Sequence, residues 1–151
     1  MSPEKKESSG PTKRAVEFLI YQNGKVLLEK RTSLNKSYSG RIIIPAGKVE
    51  FTKGETFYEA CIREVGEECG IIPKKIVYLG SFENITPSFN HYLVQAYLIR
   101  ELDGKVQNRE GKSEHLWVTF DEAEKLLNFA NSKLVLLWAK RVIRGEVQKT
   151  D

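Results

Sequence analysis

Three glutamates, Glu64, Glu67 and Glu68, are spaced so that together they could bind a metal ion. At positions i, i+3 and i+4 they share one face of a helix. Like charges on one face repel each other and weaken an isolated helix by about 0.2–0.5 kcal/mol per pair. A hard divalent cation such as Mg2+ or Mn2+ prefers oxygen ligands and would compensate this repulsion. The alternative is an ordinary solvated acidic face.

The helix that must position these glutamates is predicted over residues 55–69, with Gly70 as its left-handed C-cap. It carries a separate apolar stripe, which we expect to be buried while the acidic face looks into a cleft. The stripe comprises Tyr58, Cys61, Ile62, Val65 and Cys69.

The order of residues around the glutamates argues against a chance acidic face. Six positions are fixed: Glu55, Arg63, Glu64, Glu67, Glu68 and Gly70. Each residue type occurs by chance at about 5–7%, so an accidental match is on the order of 10^-8 per starting position. The run resembles the Nudix box: Gly, five residues, Glu, seven residues, Arg-Glu, an aliphatic, any residue, Glu-Glu, any residue, Gly, an aliphatic.

The chain departs from the box at one place. Seven residues rather than five separate Gly47 from Glu55, as though two residues such as Thr52-Lys53 had been inserted into the preceding loop. Such an insertion leaves the carboxylate face intact, but it bears on whether the Gly47 carbonyl reaches the metal as the family's glycine does.

The resemblance implies the following roles. Glu67 and Glu68 would be the main metal ligands, and Glu64 would be a further ligand or the base that deprotonates the attacking water. Arg63 would tie the helix to the preceding loop through Glu55, although a plain i, i+4 pair with Glu59 is the simpler interpretation.

One more carboxylate is expected from a distant loop. Glu110-Gly111 resembles the Glu-Gly that precedes the corresponding Trp in MutT-type members of the family, and Glu114, three residues before Trp117, is the rival. Either glutamate would be a metal ligand, Glu110 would also be catalytic, and either could instead be a solvated loop charge.

Two residues resemble substrate contacts of the MutT-type members. Arg31 ends a strand-like run and would clamp a phosphate, or would be a solubilising charge on an edge strand. Asn131 resembles an Asn whose side chain contacts a purine, but Asn and Ser are also preferred N-caps.

Composition agrees with one small enzyme domain over residues 15–151 of the 151-residue chain, after a tail expected to be disordered over 1–14. The net charge of +4, from 24 basic and 20 acidic residues, is too mild to predict a nucleic-acid partner. The two cysteines cannot pair across two helical turns and suggest a reduced protein. We expect a cytoplasmic monomer or homodimer without a membrane-spanning or signal segment.

The predicted strands cover residues 15–21, 25–31, 41–44, 75–83, 91–101 and 115–120, with a hairpin at Asn23-Gly24. Further helices are expected from a cap at Asp121 through Leu127, and over 132–144. The resemblance implies an α/β/α sandwich around a mixed sheet.

The function implied is metal-dependent hydrolysis of a nucleoside diphosphate derivative, foremost a nucleoside triphosphate cleaved to the monophosphate and pyrophosphate. The alternative substrate is ADP-ribose or a nucleotide sugar, favoured by Ala46 in Pro45-Ala46-Gly47 and by Pro87. A non-catalytic nucleotide-sensing module of the same fold is the alternative of another class.

Overall fold

The order of elements along the chain alternates strands with helices. The structure, a computed structural model, describes residues 10–32 and 40–149. In those ranges the elements are β1 (Lys13–Gln22), β2 (Lys25–Arg31), β3 (Ile42–Ile43), β4 (Ala46–Lys48), a short 3-10 turn (Phe51–Lys53), α1 (Phe57–Cys69), β5 (Ile72–Ile85), β6 (His91–Asp103), β7 (Ser113–Val118), α2 (Phe120–Leu126) and α3 (Ala130–Lys149).

The strands form a mixed sheet. Within the described ranges its order is β3-β2-β1-β6-β5, with β4 also paired to β1 and β7 to β2. β1 and β6 are parallel, and the other pairs are antiparallel. Asn23 and Gly24 both have positive φ, 53° and 77°, as the predicted two-residue hairpin requires.

Side chains alternate across the sheet and build a core on each face. On β1, Val16, Phe18 and Ile20 pack with residues of α1, whereas Leu19 packs with residues of α2 and α3. The sheet therefore lies between α1 on one side and α2 with α3 on the other. This arrangement confirms the predicted α/β/α sandwich.

Two helix starts differ from the sequence prediction because a threonine caps each of them. α1 begins at Phe57 rather than at residue 55, since the Thr56 hydroxyl accepts from the backbone N–H of Glu59 in a capping box. Thr119 does the same for α2, so the prediction that Asp121 is the cap was wrong.

The apolar stripe of α1 is narrower than predicted. Cys61, Val65 and Cys69 are buried, but Tyr58 is 51% and Ile62 38% exposed, because the helix meets the sheet along a thinner line than its apolar residues cover. Both cysteines are free.

The predicted tail over 1–14 falls largely on residues 1–9, which lie outside the described residues. Lys13 and Arg14 belong to β1, so the domain begins before the predicted residue 15. No helix in the described ranges is long and apolar enough to cross a bilayer.

Candidate active site

An acidic pocket of about 260 Å³ lies where the acidic face of α1 meets β2, β4 and the segment before β7. Its lining comprises Glu29, Arg31, Ala46, Glu64, Glu67, Glu68, Asn108, Glu110, Lys112, Ser113 and His115. The pocket thus brings together the three glutamates of the helix, the favoured loop carboxylate and the proposed phosphate-clamping arginine.

The three helix glutamates differ in their surroundings. Glu68 is 9% exposed and its carboxyl group is hydrogen-bonded to that of Glu64. Glu67 is half exposed, with 52% of its side chain accessible. Burial raises the pKa of Glu68, and the charge of Glu29 raises it further; burial likewise raises the pKa of Glu64. Without a cation, this pair therefore tends to retain a proton.

Glu29 is a member of the pocket that the sequence interpretation missed. It is 5% exposed on β2; its Oε2 accepts from Ser113 Oγ at 3.2 Å, and its Oε1 lies 3.6 Å from an Arg31 nitrogen. Burial raises its pKa. The available signal was the period of two along β2, which puts Leu27, Glu29 and Arg31 on the α1 side of the sheet.

Arg63 joins α1 to the loop before it. Its Nε donates to Glu55 Oε2 at 2.6 Å, and its Nη2 donates to Glu55 Oε1 at 3.0 Å and to the Lys48 carbonyl at 2.9 Å. Its Nη1 donates to Glu64 at 3.2 Å and to Glu67 at 3.1 Å. The expected link to Glu55 is therefore present.

The simpler interpretation, an Arg63–Glu59 pair, was wrong. The Glu59 carboxylate instead accepts a hydrogen bond from the backbone N–H of Thr56, as part of the capping box of α1. The hydrogen bond from Arg63 lowers the pKa of Glu55, so that carboxylate stays charged.

Gly47 lies directly against Glu64: a Cβ atom on Gly47 would overlap the Glu64 carboxyl group. The additional loop residues form the 3-10 turn Phe51–Lys53, closed by Gly54 at φ 84°. The turn absorbs the insertion, and Gly47 remains in contact with Glu64, which lines the acidic pocket.

The two candidate loop carboxylates occupy different places. Glu110 lines the acidic pocket, and its charge acts on Glu29 and Glu68. Glu114 pairs with Lys30 in the β2–β7 register and is exposed, while its neighbours Ser113 and His115 face the pocket. Burial lowers the pKa of His115, which the sequence had not linked to the site.

Arg31 is not an edge-strand charge, because β2 is paired on both sides. Its side chain lines the acidic pocket, and its buried Nε has no hydrogen-bond partner among the residues that the structure describes. An anion in the pocket would supply the missing acceptor.

The donor set of the pocket fits a divalent cation chemically. Carboxylate oxygens are the ligands that Mg2+ and Mn2+ prefer. The pKa values of Glu64 and Glu68 are raised mainly by burial, and a cation bound here would stabilise the ionised forms of both groups. Within the described ranges no three acidic, histidine or cysteine side chains are already arranged as a coordination shell. Binding of a cation there would require the Glu64–Glu68 pair to be ionised.

A second pocket, the apolar pocket, has about 390 Å³ and meets the acidic pocket at Ala46. Its walls include Ile43, Phe82, Val94 and Phe129. A planar, largely apolar group attached to a phosphate chain could occupy the two pockets together.

Asn131 lines this apolar pocket from α3. It is the second residue of that helix, which begins two residues earlier than predicted, so the N-cap interpretation of Asn131 was wrong. Its Nδ2 donates to the Glu83 carbonyl at 3.3 Å. Glu17, on β1, also lines the pocket and was not singled out in the sequence.

An α/β/α sandwich that presents three glutamates from one helix at an acidic pocket is an arrangement that can be compared with known protein families. The NUDIX domain model matches residues 11–138. The chain therefore belongs to the Nudix family, and the expectation of a Nudix-type hydrolase is confirmed.

Among curated proteins, the chain is 30% identical over 122 residues to an ADP-ribose pyrophosphatase of Methanocaldococcus jannaschii, covering 80% of this chain and 69% of that protein. It is 31% identical over 113 residues to an ADP-ribose pyrophosphatase of Bacillus subtilis, covering 72% of this chain but 58% of that protein. The chain thus spans less than two thirds of the Bacillus protein.

Among solved structures, the ORF135 protein of Escherichia coli has a TM-score of 0.69 at 26% identity, covering 90% of this chain and 93% of the other. The similarity of fold thus extends over nearly the whole of both chains.

Proposed function

We propose that the chain hydrolyses the diphosphate linkage of a nucleoside diphosphate derivative with the aid of Mg2+ or Mn2+. The observation that supports the proposal is the junction of the two pockets at Ala46, where a carboxylate-rich cavity that would take the phosphates adjoins an apolar cavity that would take the base. The leading substrate is a nucleoside triphosphate, cleaved by water to the monophosphate and pyrophosphate.

Each part of the acidic pocket has a distinct task. Glu64, Glu67, Glu68, Glu110 and the Gly47 carbonyl would hold the cation, which when bound neutralises phosphate oxygens. Arg31 would donate to a phosphate oxygen from its Nε, which has no partner among the described residues. Glu64, if it is not a ligand, accepts the proton of the attacking water, and Arg63 positions both Glu64 and Glu67.

The second candidate substrate is ADP-ribose or a nucleotide sugar. Two relatives near 30% identity are named ADP-ribose pyrophosphatases, and Pro87, noted in the sequence, lies in the wall of the apolar pocket. A relative named 8-oxo-dGTP diphosphatase, from Escherichia coli, is 27% identical over 65% of this chain and 73% of its own length, and supports the nucleoside triphosphate.

A panel of nucleotides, assayed with Mg2+ and with the metal chelated, tests the proposal. Pyrophosphate and a monophosphate from a nucleoside triphosphate support the leading substrate, whereas AMP and ribose 5-phosphate from ADP-ribose support the second. Nucleotide binding without turnover on any substrate would identify the non-catalytic module instead. The Glu67→Gln protein is the control for contaminating phosphatases.

We further propose a reducing, cytoplasmic setting, since both cysteines are free and buried. The partner is the small-molecule nucleotide, with no membrane or nucleic-acid partner proposed, and the protein acts as a monomer or homodimer.

A further inference from the structure

Glu17 is a carboxyl group at the wall of an otherwise largely apolar cavity. It lies on β1, beside Ala46 of β4 and Ala96 of β6 in the sheet register. Because side chains alternate along the strand, Glu17 projects to the side of the sheet opposite Val16 and Phe18, where α3 lies. There it lines the apolar pocket together with Asn131.

One oxygen of the Glu17 carboxyl group has no hydrogen-bond partner among the residues that the structure describes. Its Oε1 is inaccessible to solvent and accepts no hydrogen bond from any described residue. A buried polar atom left unpaired costs about 1–3 kcal/mol, so such atoms in folded proteins are normally paired. A hydrogen-bond donor that enters the apolar pocket would supply a partner for this oxygen.

Asn131 presents a second acceptor to the same space. Its Nδ2 donates a hydrogen bond to the Glu83 carbonyl, while its Oδ1 has no partner within the described ranges. Both side chains thus offer acceptor oxygens to whatever fills the cavity. A group bearing N–H donors matches this surface better than one bearing carbonyls alone.

We propose that Glu17 is a specificity-determining residue that accepts a hydrogen bond from the exocyclic amine of a nucleobase. The substrate class is then a nucleotide of an amino-bearing base, adenine, guanine or cytosine. This inference rests on the proposed function, because the phosphates must lie in the acidic pocket for the base to reach Glu17.

The protonation state of Glu17 does not decide the contact. Burial raises the pKa of Glu17 to about 8. A neutral carboxyl group still offers its carbonyl oxygen, and an ionised one offers both oxygens, so an amine is accepted in either state.

Matched nucleotides that differ by one amine test the proposal. The pairs are ATP and purine riboside triphosphate, GTP and ITP, and CTP and the 2-pyrimidinone ribonucleoside triphosphate. For at least one pair we expect kcat/KM of the native protein to favour the amine-bearing member by about 10-fold or more. The corresponding monophosphates, titrated calorimetrically without metal, should show the same order of Kd.

Two substitutions at Glu17 separate recognition from folding. Glu17→Ala should reduce the preference to within about 2-fold, whereas Glu17→Gln, whose amide oxygen still accepts, should retain most of it. Glu124→Ala, an exposed change on α2, is the matched control and should leave the ratio unaltered. Thermal melts show whether each variant is folded.

The outcomes distinguish this inference from the function on which it rests. Hydrolysis without discrimination in any pair, or discrimination that survives Glu17→Ala, overturns the role of Glu17 and leaves the hydrolase intact. If no nucleotide is hydrolysed, the proposed function fails, and the monophosphate titrations decide on Glu17 alone: equal Kd values within every pair overturn it.

Discussion

Gly47 and Glu64 are in contact across the gap between β4 and α1, and the contact leaves no room for a Cβ atom on Gly47. Glycine is required here because a larger residue would not fit, and not because of backbone conformation, since Gly47 is not among the glycines with positive φ. The backbone of β4 thus approaches the carboxyl group that shares a hydrogen bond with Glu68. Any side chain at this position must shift the Glu64 carboxyl group from its place in the structure.

Gly47→Ala should therefore impair turnover by moving Glu64. We expect kcat/KM to fall by about 10-fold or more, with a loss of stability of about 1–3 kcal/mol from overpacking. Gly10→Ala, where a Cβ meets open space, is the control and should change neither quantity. Full activity of Gly47→Ala would show that the position of Glu64 does not matter for turnover.

Glu67→Gln should remove a metal ligand with little effect on the fold. Glu67 is half exposed, so its loss disturbs no core packing and changes the melting temperature little. Activity should fall by about 100-fold or more, because charge opposite the cation is lost. Steady-state kinetics at saturating Mg2+ measure the effect, and near-native turnover would refute Glu67 as a ligand.

The loop carboxylate is tested by a matched pair of variants. Glu110→Gln should lower kcat/KM by about 10-fold or more, and Glu114→Gln by less than about 2-fold, since Glu110 lines the acidic pocket and Glu114 is exposed. The reverse order would transfer the role to Glu114.

Glu17→Gln should change the dependence of stability on pH. The pKa of Glu17 is raised from 4.5 to about 8 in the folded chain, so its stabilising contribution is complete below 4.5 and is lost as the pH rises through about 8. Gln cannot ionise. The free energy of unfolding of the variant, relative to the native protein, should therefore rise by several kcal/mol, at most about 5 kcal/mol, across this window.

Denaturant unfolding of the native protein and of Glu17→Gln at several pH values measures the difference in their free energies of unfolding. The titration of all other groups is common to both proteins and cancels in this difference. A difference independent of pH would mean that the Glu17 carboxyl group is well solvated in the folded chain.

The acidic helix could be predicted because its information is local. Glu64, Glu67 and Glu68 share a face through helical spacing alone, and Gly70 ends the helix through its left-handed conformation, at φ 69°. The hairpin at Asn23-Gly24 was predictable for the same reason.

Glu29 and Glu17 could not be assigned in the same way. Each is the single acidic residue of its strand. Its surroundings come from elements far along the chain: Glu68 and Ser113 for Glu29, and α3 for Glu17. Strand alternation gives the face on which such a residue lies. It does not reveal that a pocket opens there.

Asn131→Ala separates base recognition from a structural role for the side chain. The Asn131 amide donates to the Glu83 carbonyl at 3.3 Å, so the variant should lose about 0.5–1.5 kcal/mol of stability whatever the ligand. If Asn131 Oδ1 also accepts from a purine, the ratio of kcat/KM for purine over pyrimidine nucleotides should fall by about 5-fold or more. Thermal melts and kinetics on one variant give both quantities. Lowered stability with an unchanged ratio would leave Asn131 as a tie between α3 and β5 and would withdraw it from the base site.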